Sequence, residues 1–129
     1  MLSGIPSTSW AAATGRDPLE AARAAGNLLL PASSAPSLLL LAGGFAHLVI
    51  SFGWALVLSV FLPERRTVLF AILSGAAIAV LDLGVIGRLF PLIAALDFAP
   101  QLADHLAYGG VAGAVIAWRR KRRQSPRQA

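Results

Sequence analysis

The sequence predicts an all-α integral membrane helix bundle with three transmembrane helices, preceded by an amphipathic N-terminal helix. Three observations carry that expectation. Hydrophobic residues fill 57% of the 129 positions and charged residues only 13%, about half the charge that a soluble domain uses to face water. Long apolar runs recur between prolines. Six of the eleven basic residues crowd into "RRKRRQSPR", residues 119–127, directly after an apolar run that ends at Trp118.

The first segment, residues 1–36, opens with "MLSGIPSTSWAAATG", which carries no charge before Arg16. Without a basic leading region it does not read as a signal peptide, and it is too short to span a bilayer. Two readings stay open. It is the far end of a membrane helix that starts upstream of Met1, making the three spans the remainder of a four-helix bundle, or it is an extension without fixed structure. "GRDPLEAARAAGNLLLP" then predicts a helix over about residues 17–30. Asp17 suits the N-cap, Pro18 the first turn, and Glu20 completes a pattern like a capping box. Leu19, Ala22, Ala25 and Leu29 approximate one apolar side, which would lie on the outer membrane face.

The bundle itself is expected over residues 37–118. Spanning a bilayer takes roughly 20 apolar residues in a helix. "LLLLAGGFAHLVISFGWALVLSVFL", residues 38–62, supplies twenty-five with one ionisable group, His47. Pro36 and Pro63 bracket it, as prolines suit helix ends rather than interiors. The second span covers residues 67–90 and holds thirteen large apolar residues. Each contributes roughly −0.3 to −0.6 kcal/mol to insertion, against about +3 for a central Asp, so the apolar residues outweigh Asp82. Arg88 can snorkel from the end, and Pro91 closes the helix. The third span, residues 100–118, is mostly Gly, Ala and Val after His105. Asp97 can cap it, with Pro100 in its first turn. So few large side chains suit packing against protein better than facing lipid.

Basic residues set orientation, because cytoplasmic flanks of membrane helices are rich in Lys and Arg. Placing the tail, residues 119–129, in the cytoplasm also puts Arg65 and Arg66 there, with residues 90–97 and the N-terminus outside. The expected location is therefore a bacterial cytoplasmic membrane, multi-pass, with a cytoplasmic C-terminus. The Arg-over-Lys balance and Ala-rich background suit a bacterial source. The net charge of +5 and pI near 11.4 follow from that tail and imply contact with anionic lipid rather than nucleic acid.

Helices in lipid associate through small residues that let backbones approach. Such residues recur at four-residue intervals: Gly43, His47, Ser51, Ala55 and Ser59 in the first span, Ala71, Gly75 and Ala79 before Asp82 in the second, His105, Gly109, Gly113 and Ala117 in the third. Each stripe ends on or contains an ionisable residue. At 1.5 Å per residue, His47 lies about 14 Å below the outer surface, Asp82 about 12 Å, and Asp104 and His105 about 6–8 Å. His47, Asp82, Arg88, Asp104 and His105 thus form a candidate intramembrane polar cluster, with Arg88 at its outer rim.

That cluster has a leading structural reading: pairs between helices satisfy groups that are costly in lipid and fix helix register. A proton or solute path is the competing reading, since histidine titrates near neutrality. A metal site has suitable ligand types but no recognisable spacing, so no metal or other cofactor is assigned. No cysteine is present, which excludes disulfides and thiol chemistry. No nucleophile, zincin, Walker or dinucleotide-binding motif appears, so the expectation is a protein that is not an enzyme. Trp118 fits an interfacial anchor, Trp54 fits packing, and the Tyr108 hydroxyl needs a partner if buried.

"TGRDPLEAARAAGNLLLP", "DLGVIGRLFP" and "QLADHLAYG" together resemble a group of small multi-span bacterial membrane proteins of unknown function, over most of residues 14–118. The resemblance implies another helix before "TGRDP". It brings no substrate, cofactor or catalytic residue. The expected role is a non-enzymatic structural or accessory membrane component; the alternative is a transporter-like protein that moves protons or solute through the cluster. The expected partners are the lipid bilayer and either a second copy or another membrane protein.

Overall fold

The computed structural model describes residues 4–124; residues 1–3 and 125–129, which include Arg127 of the basic run, lie outside the description. Every regular element among the described residues is helical. Prolines explain most of the boundaries. α1 (Ile5–Ala13) carries Pro6 in its first turn, and Gly15, at φ 72°, turns the chain out of it. α2 (Glu20–Gly26) is shorter than the helix expected over residues 17–30. Asp17 Oδ1 accepts the Leu19 N–H at 2.9 Å in a turn before the helix, but the N-cap position expected for Asp17 falls to Leu19, which brings no side-chain cap. Glu20 instead pairs with Arg16 at 3.1 Å and does not close a capping box. Asn27 stops the helix: its Nδ2 donates to the Leu30 carbonyl at 3.0 Å and its Oδ1 accepts the Leu92 N–H at 3.4 Å.

α3 (Pro36–Phe61) starts on Pro36 and ends where Leu62, at ψ 134°, is held extended before Pro63. α4 (Thr67–Leu81) begins after Arg66, which takes a left-handed conformation at φ 58°. Its end is not a simple stop. The rod continues as a π-helical turn, Asp82–Ile86, and a 3₁₀ turn, Gly87–Leu89. The Gly87 N–H donates to the Asp82 carbonyl five residues back, the wide spacing that defines the π turn. Only glycine fits there, because a Cβ would stand 2.8 Å from that carbonyl oxygen and 2.7 Å from Ile93 Cγ2. Phe90 is extended before Pro91, which opens the short α5 (Pro91–Ala94). α6 (Phe98–Gln124) is one continuous helix. The basic segment read as a tail from residue 119 is therefore helical up to Gln124, an extension of the third expected span.

Two helices, Pro36–Phe61 and Thr67–Leu89, are long and apolar enough to cross a membrane. α6 is longer than either, but its Gly- and Ala-rich stretch and basic end do not reach that apolarity. Just 11% of the apolar stretch of α3 and 22% of that of the α4 rod is buried within the protein. A helix at the core of a soluble protein shows the reverse. Large apolar side chains such as Leu41, Phe45, Val60 and Phe61 stand between 64% and 80% exposed.

α4 and α6 pack antiparallel at backbone contact. A Cβ on Gly75 would strike the His105 carbonyl, and one on Gly109 would strike that of Ala71. A Cβ on Gly113 would come within 2.6 Å of the Ala71 Cβ. The small-residue stripes of the second and third expected spans thus face each other. The first span's stripe splits. Gly43 meets the Ala22 carbonyl of α2, and Gly26 of α2 in turn lies against Leu39. α2 is therefore fastened to α3 by its small face, while Leu19 and Leu29, expected on its apolar side, are exposed. Further down, Ser51 and Ser59 of α3 meet α6 through their carbonyl oxygens: Tyr108 donates its hydroxyl to Ser51, and Arg120 reaches Ser59. Around them Leu58, Leu62 and Ala71 form a small core with Tyr108, Ala112 and Ile116.

Arg120 is the clasp at that end. Its guanidinium donates to the carbonyls of Ser59 and Leu62, both at 3.0 Å, and of Pro63 at 3.2 Å. The last carbonyls of α3 have no partner within the helix, and a cation there also complements the helix dipole. Arg120→Ala is expected to cost about 1–2 kcal/mol, read as a lower denaturation midpoint in detergent with helix content unchanged at the start of the titration. Arg120→Lys should recover less than half, because a single ammonium cannot span three carbonyls.

At the opposite end the charges pair among themselves. Arg16 bridges Glu20 and Asp97, and Arg23 pairs with Asp17. Asp97 stands just before α6, where a cap is expected, but its carboxylate is engaged by Arg16. These exposed pairs add little stability; they tie the α1–α2 connection to the start of α6.

Candidate functional site

The α4–α6 contact carries the polar side chains that matter most. His105 sits one turn before Gly109, so the glycine contact that draws the helices together also presents its ring to α4. Its Nδ1 lies 2.8 Å from the Gln101 carbonyl. A carbonyl oxygen only accepts, so Nδ1 carries a hydrogen. The other ring nitrogen, Nε2, faces Asp82 Oδ2 at 3.4 Å. With Nδ1 already donating, Nε2 either donates to the carboxylate as part of an imidazolium or accepts from a protonated Asp82. Both side chains are largely shielded, at 22% and 29% exposure.

Asp82 occupies the first position of the π turn. Asp82 keeps α-helical backbone angles, φ −68° and ψ −42°, but its carbonyl accepts from Gly87 five residues on, and π turns recur at functional sites in proteins generally. Asp104, one residue before His105, points elsewhere: its Oδ1 accepts the Ser7 N–H of α1 at 3.0 Å. Ser7 is buried at this contact. α1 consequently runs antiparallel to the first turns of α6, with Ser7 at Asp104 and Arg16 at Asp97.

His47 is exposed on α3. The parallel register that sets Ser51 against Tyr108 puts His47, four residues earlier, level with Asp104, also four residues earlier. Arg88 lies apart, exposed in the 3₁₀ turn, and the pair formed by Asp82 is with His105. The structure thus brings Asp82 and His105 together, holds Asp104 by a backbone amide, sets His47 at the same level, and leaves Arg88 outside. Two contributors were not legible in the sequence. The Ser7 amide is a backbone donor with no residue signature. The carbonyl of Ser51, which satisfies Tyr108, is another.

The site is self-contained. Among the described residues, every buried side-chain nitrogen or oxygen has a hydrogen-bond partner. Nor do three of His, Cys, Asp and Glu gather closely enough among them to hold a metal ion. A recess of about 330 Å³ between α1 and α6 is lined by Pro6, Trp10, Ala99, Pro100 and Ala103 and offers no chemistry.

Comparison with protein-family models, curated proteins and solved structures finds no match. The site's own geometry therefore carries the functional reading.

Proposed function

We propose that this chain is a three-span integral membrane protein with a structural or accessory role and no enzymatic activity. The reading rests above all on how its polar groups are used. Each of the shielded polar side chains on the helix faces, Asp82, Asp104, His105 and Tyr108, is spent on a contact within the chain, while the apolar side chains of α3 and α4 face outward. That is the arrangement a helix bundle adopts when hydrocarbon is its solvent. Packing supports the third span. α6 lies along α4 from His105, opposite Gly75, to Gly113, opposite Val68, so α6 shares whatever depth α4 has. The seven cations of residues 65–66 and 119–123 favour a cytoplasmic location for that end.

The native chain has no cysteine, which makes topology directly measurable. Single cysteines at Ser33 and Ala95 are expected to react with an impermeant maleimide on intact cells. One at Glu64 and one appended to the C-terminus should react only after permeabilisation. Labelling of the C-terminal cysteine on intact cells, on the same side as Ala95, would mean that α6 does not cross.

One observation favours a second reading, movement of protons or solute: the contact between Asp82 and His105 sits at a π turn, level with Asp104 and His47. On that reading Asp82→Asn folds but loses a pH-driven flux that the native protein shows in proteoliposomes.

A further inference from the structure

The two ends of the bundle differ in how their charges are used. Around α2 each acid meets a base. At the other end, residues 63–66 and 119–123 hold seven cations and one carboxylate, Glu64. These cations do more than surround a helix end, because the turn between α3 and α4 and the last turns of α6 enclose a recess of about 290 Å³. Arg65, Arg120 and Lys121 line it together with Glu64, Thr67 and Ala117. At about 30 Å³ per water, that volume holds a tetrahedral oxyanion with water around it.

Two of the lining residues are fixed in place by hydrogen bonds. Arg120 is anchored by its three carbonyl bonds, which leave the Nε–H and one Nη1 hydrogen of its five donors for an acceptor. Thr67 is buried, and its hydroxyl lies within hydrogen-bond reach of the Pro63 and Glu64 carbonyls, at 2.8 and 3.0 Å. It therefore holds the turn and does not cap α4, whose amino end has no side-chain cap. On α6, two residues before Arg120, Trp118 is exposed, with the Arg122 guanidinium 4.1 Å from its ring centre, as at the level of lipid headgroups.

We propose that the recess formed by Arg65, Arg120 and Lys121 binds the phosphate of an anionic phospholipid headgroup. The inference rests on the membrane reading above. Position separates a lipid from a free phosphate: the recess lies at the turn that follows α3, whose last turn carries the exposed apolar side chains Val60 and Phe61, so acyl chains of a bound lipid have an apolar surface at hand while its phosphate meets the guanidinium groups. Arginine suits that task because its fork matches a phosphate's oxygens.

The test uses the full chain, purified in detergent, with bound lipid counted by native mass spectrometry during titration with phosphatidylglycerol or phosphatidylcholine. One phosphatidylglycerol should bind in preference to phosphatidylcholine. R65Q/K121Q should weaken it about 30-fold, from about fivefold per cation, while R122Q/R123Q, with the same charge loss outside the recess, should weaken it less than threefold. Equal weakening in both variants would reduce the site to diffuse attraction and overturn the proposal. So would displacement of the lipid by excess inorganic phosphate, which would make the ligand a free anion, or by a single-stranded oligonucleotide. Circular dichroism confirms that each variant is folded. Carbonate extraction of the native protein from membranes separates the two failures: release by carbonate sinks the membrane reading itself, whereas retention with no lipid preference sinks this inference alone.

Discussion

Gly109→Leu is expected to separate α4 from α6 and lower stability by about 3 kcal/mol or more. Overpacking a well-filled contact costs typically about 1–3 kcal/mol when side chains can yield, and here they cannot. The atoms facing Gly109 are the Ala71 carbonyl and, at 3.0 Å from an added Cβ, the Ile72 Cα. Backbone must move. Gly75→Leu should behave alike, since it faces the His105 carbonyl from the other helix. Two internal controls make the argument specific. A Cβ on Gly110 meets only the Ile72 side chain, at 3.8 Å, and one on Gly53 meets nothing within 4 Å. Leucine at either control position should leave the unfolding midpoint within about 0.5 kcal/mol of the native value. Unfolding in a denaturing-detergent titration, followed by circular dichroism, reads all four variants. If Gly109→Leu unfolds with the native protein, α4 and α6 are not held by close backbone contact, and the account of the bundle fails.

The same contact explains what could be read in advance. Four-residue stripes of small residues mark where backbones can meet, so the α4–α6 face was visible as Ala71, Gly75 and Ala79 against His105, Gly109 and Gly113. Proline acts locally and fixes boundaries wherever it stands: Pro36, Pro63 and Pro91 each lie within two residues of a helix end. The π turn at Asp82 has no such local marker. Gly87 permits it, but its wide hydrogen bond arises from how the α4 rod meets the α5 turn through Ile93. α2 misled for a related reason. An apolar pattern weights Leu19 and Leu29 above Ala22 and Gly26, whereas the contact with Gly43 and Leu39 selects the smallest side chains. Helix termination by Asn27 depends on Leu92, sixty-five residues away, a tertiary bond that spacing alone cannot show. Within the candidate site, depth arithmetic sets Asp82 and His105 in the same half of the membrane, but it says nothing of direction. His105 faces Asp82, while its neighbour Asp104 faces α1, because adjacent residues on a helix point about 100° apart.

Asp82→Ala and Asp82→Asn are expected to differ sharply although both remove the acid. Alanine leaves His105 Nε2 shielded and without its partner, a loss of about 1–3 kcal/mol; it keeps the Asp82 carbonyl and hence the π turn, so the side chain alone is tested. Asparagine can replace the missing bond. His105 already donates through Nδ1 to Gln101, so a neutral ring offers Nε2 as an acceptor, and the amide of Asn donates to it. Its stability should stay within about 0.5 kcal/mol of native. The histidine side gives the mirror experiment. His105→Ala should match Asp82→Ala, and the double variant should lose much less than the sum, because removing both partners leaves no orphaned polar group. Additive losses would mean that the 3.4 Å contact carries no coupling. Because asparagine keeps the bond but not the exchangeable proton, it also separates the two functional readings. A structural pair leaves Asp82→Asn indistinguishable from native protein in every assay, whereas a proton path leaves it stable and silent in a proteoliposome flux measurement where the native chain conducts.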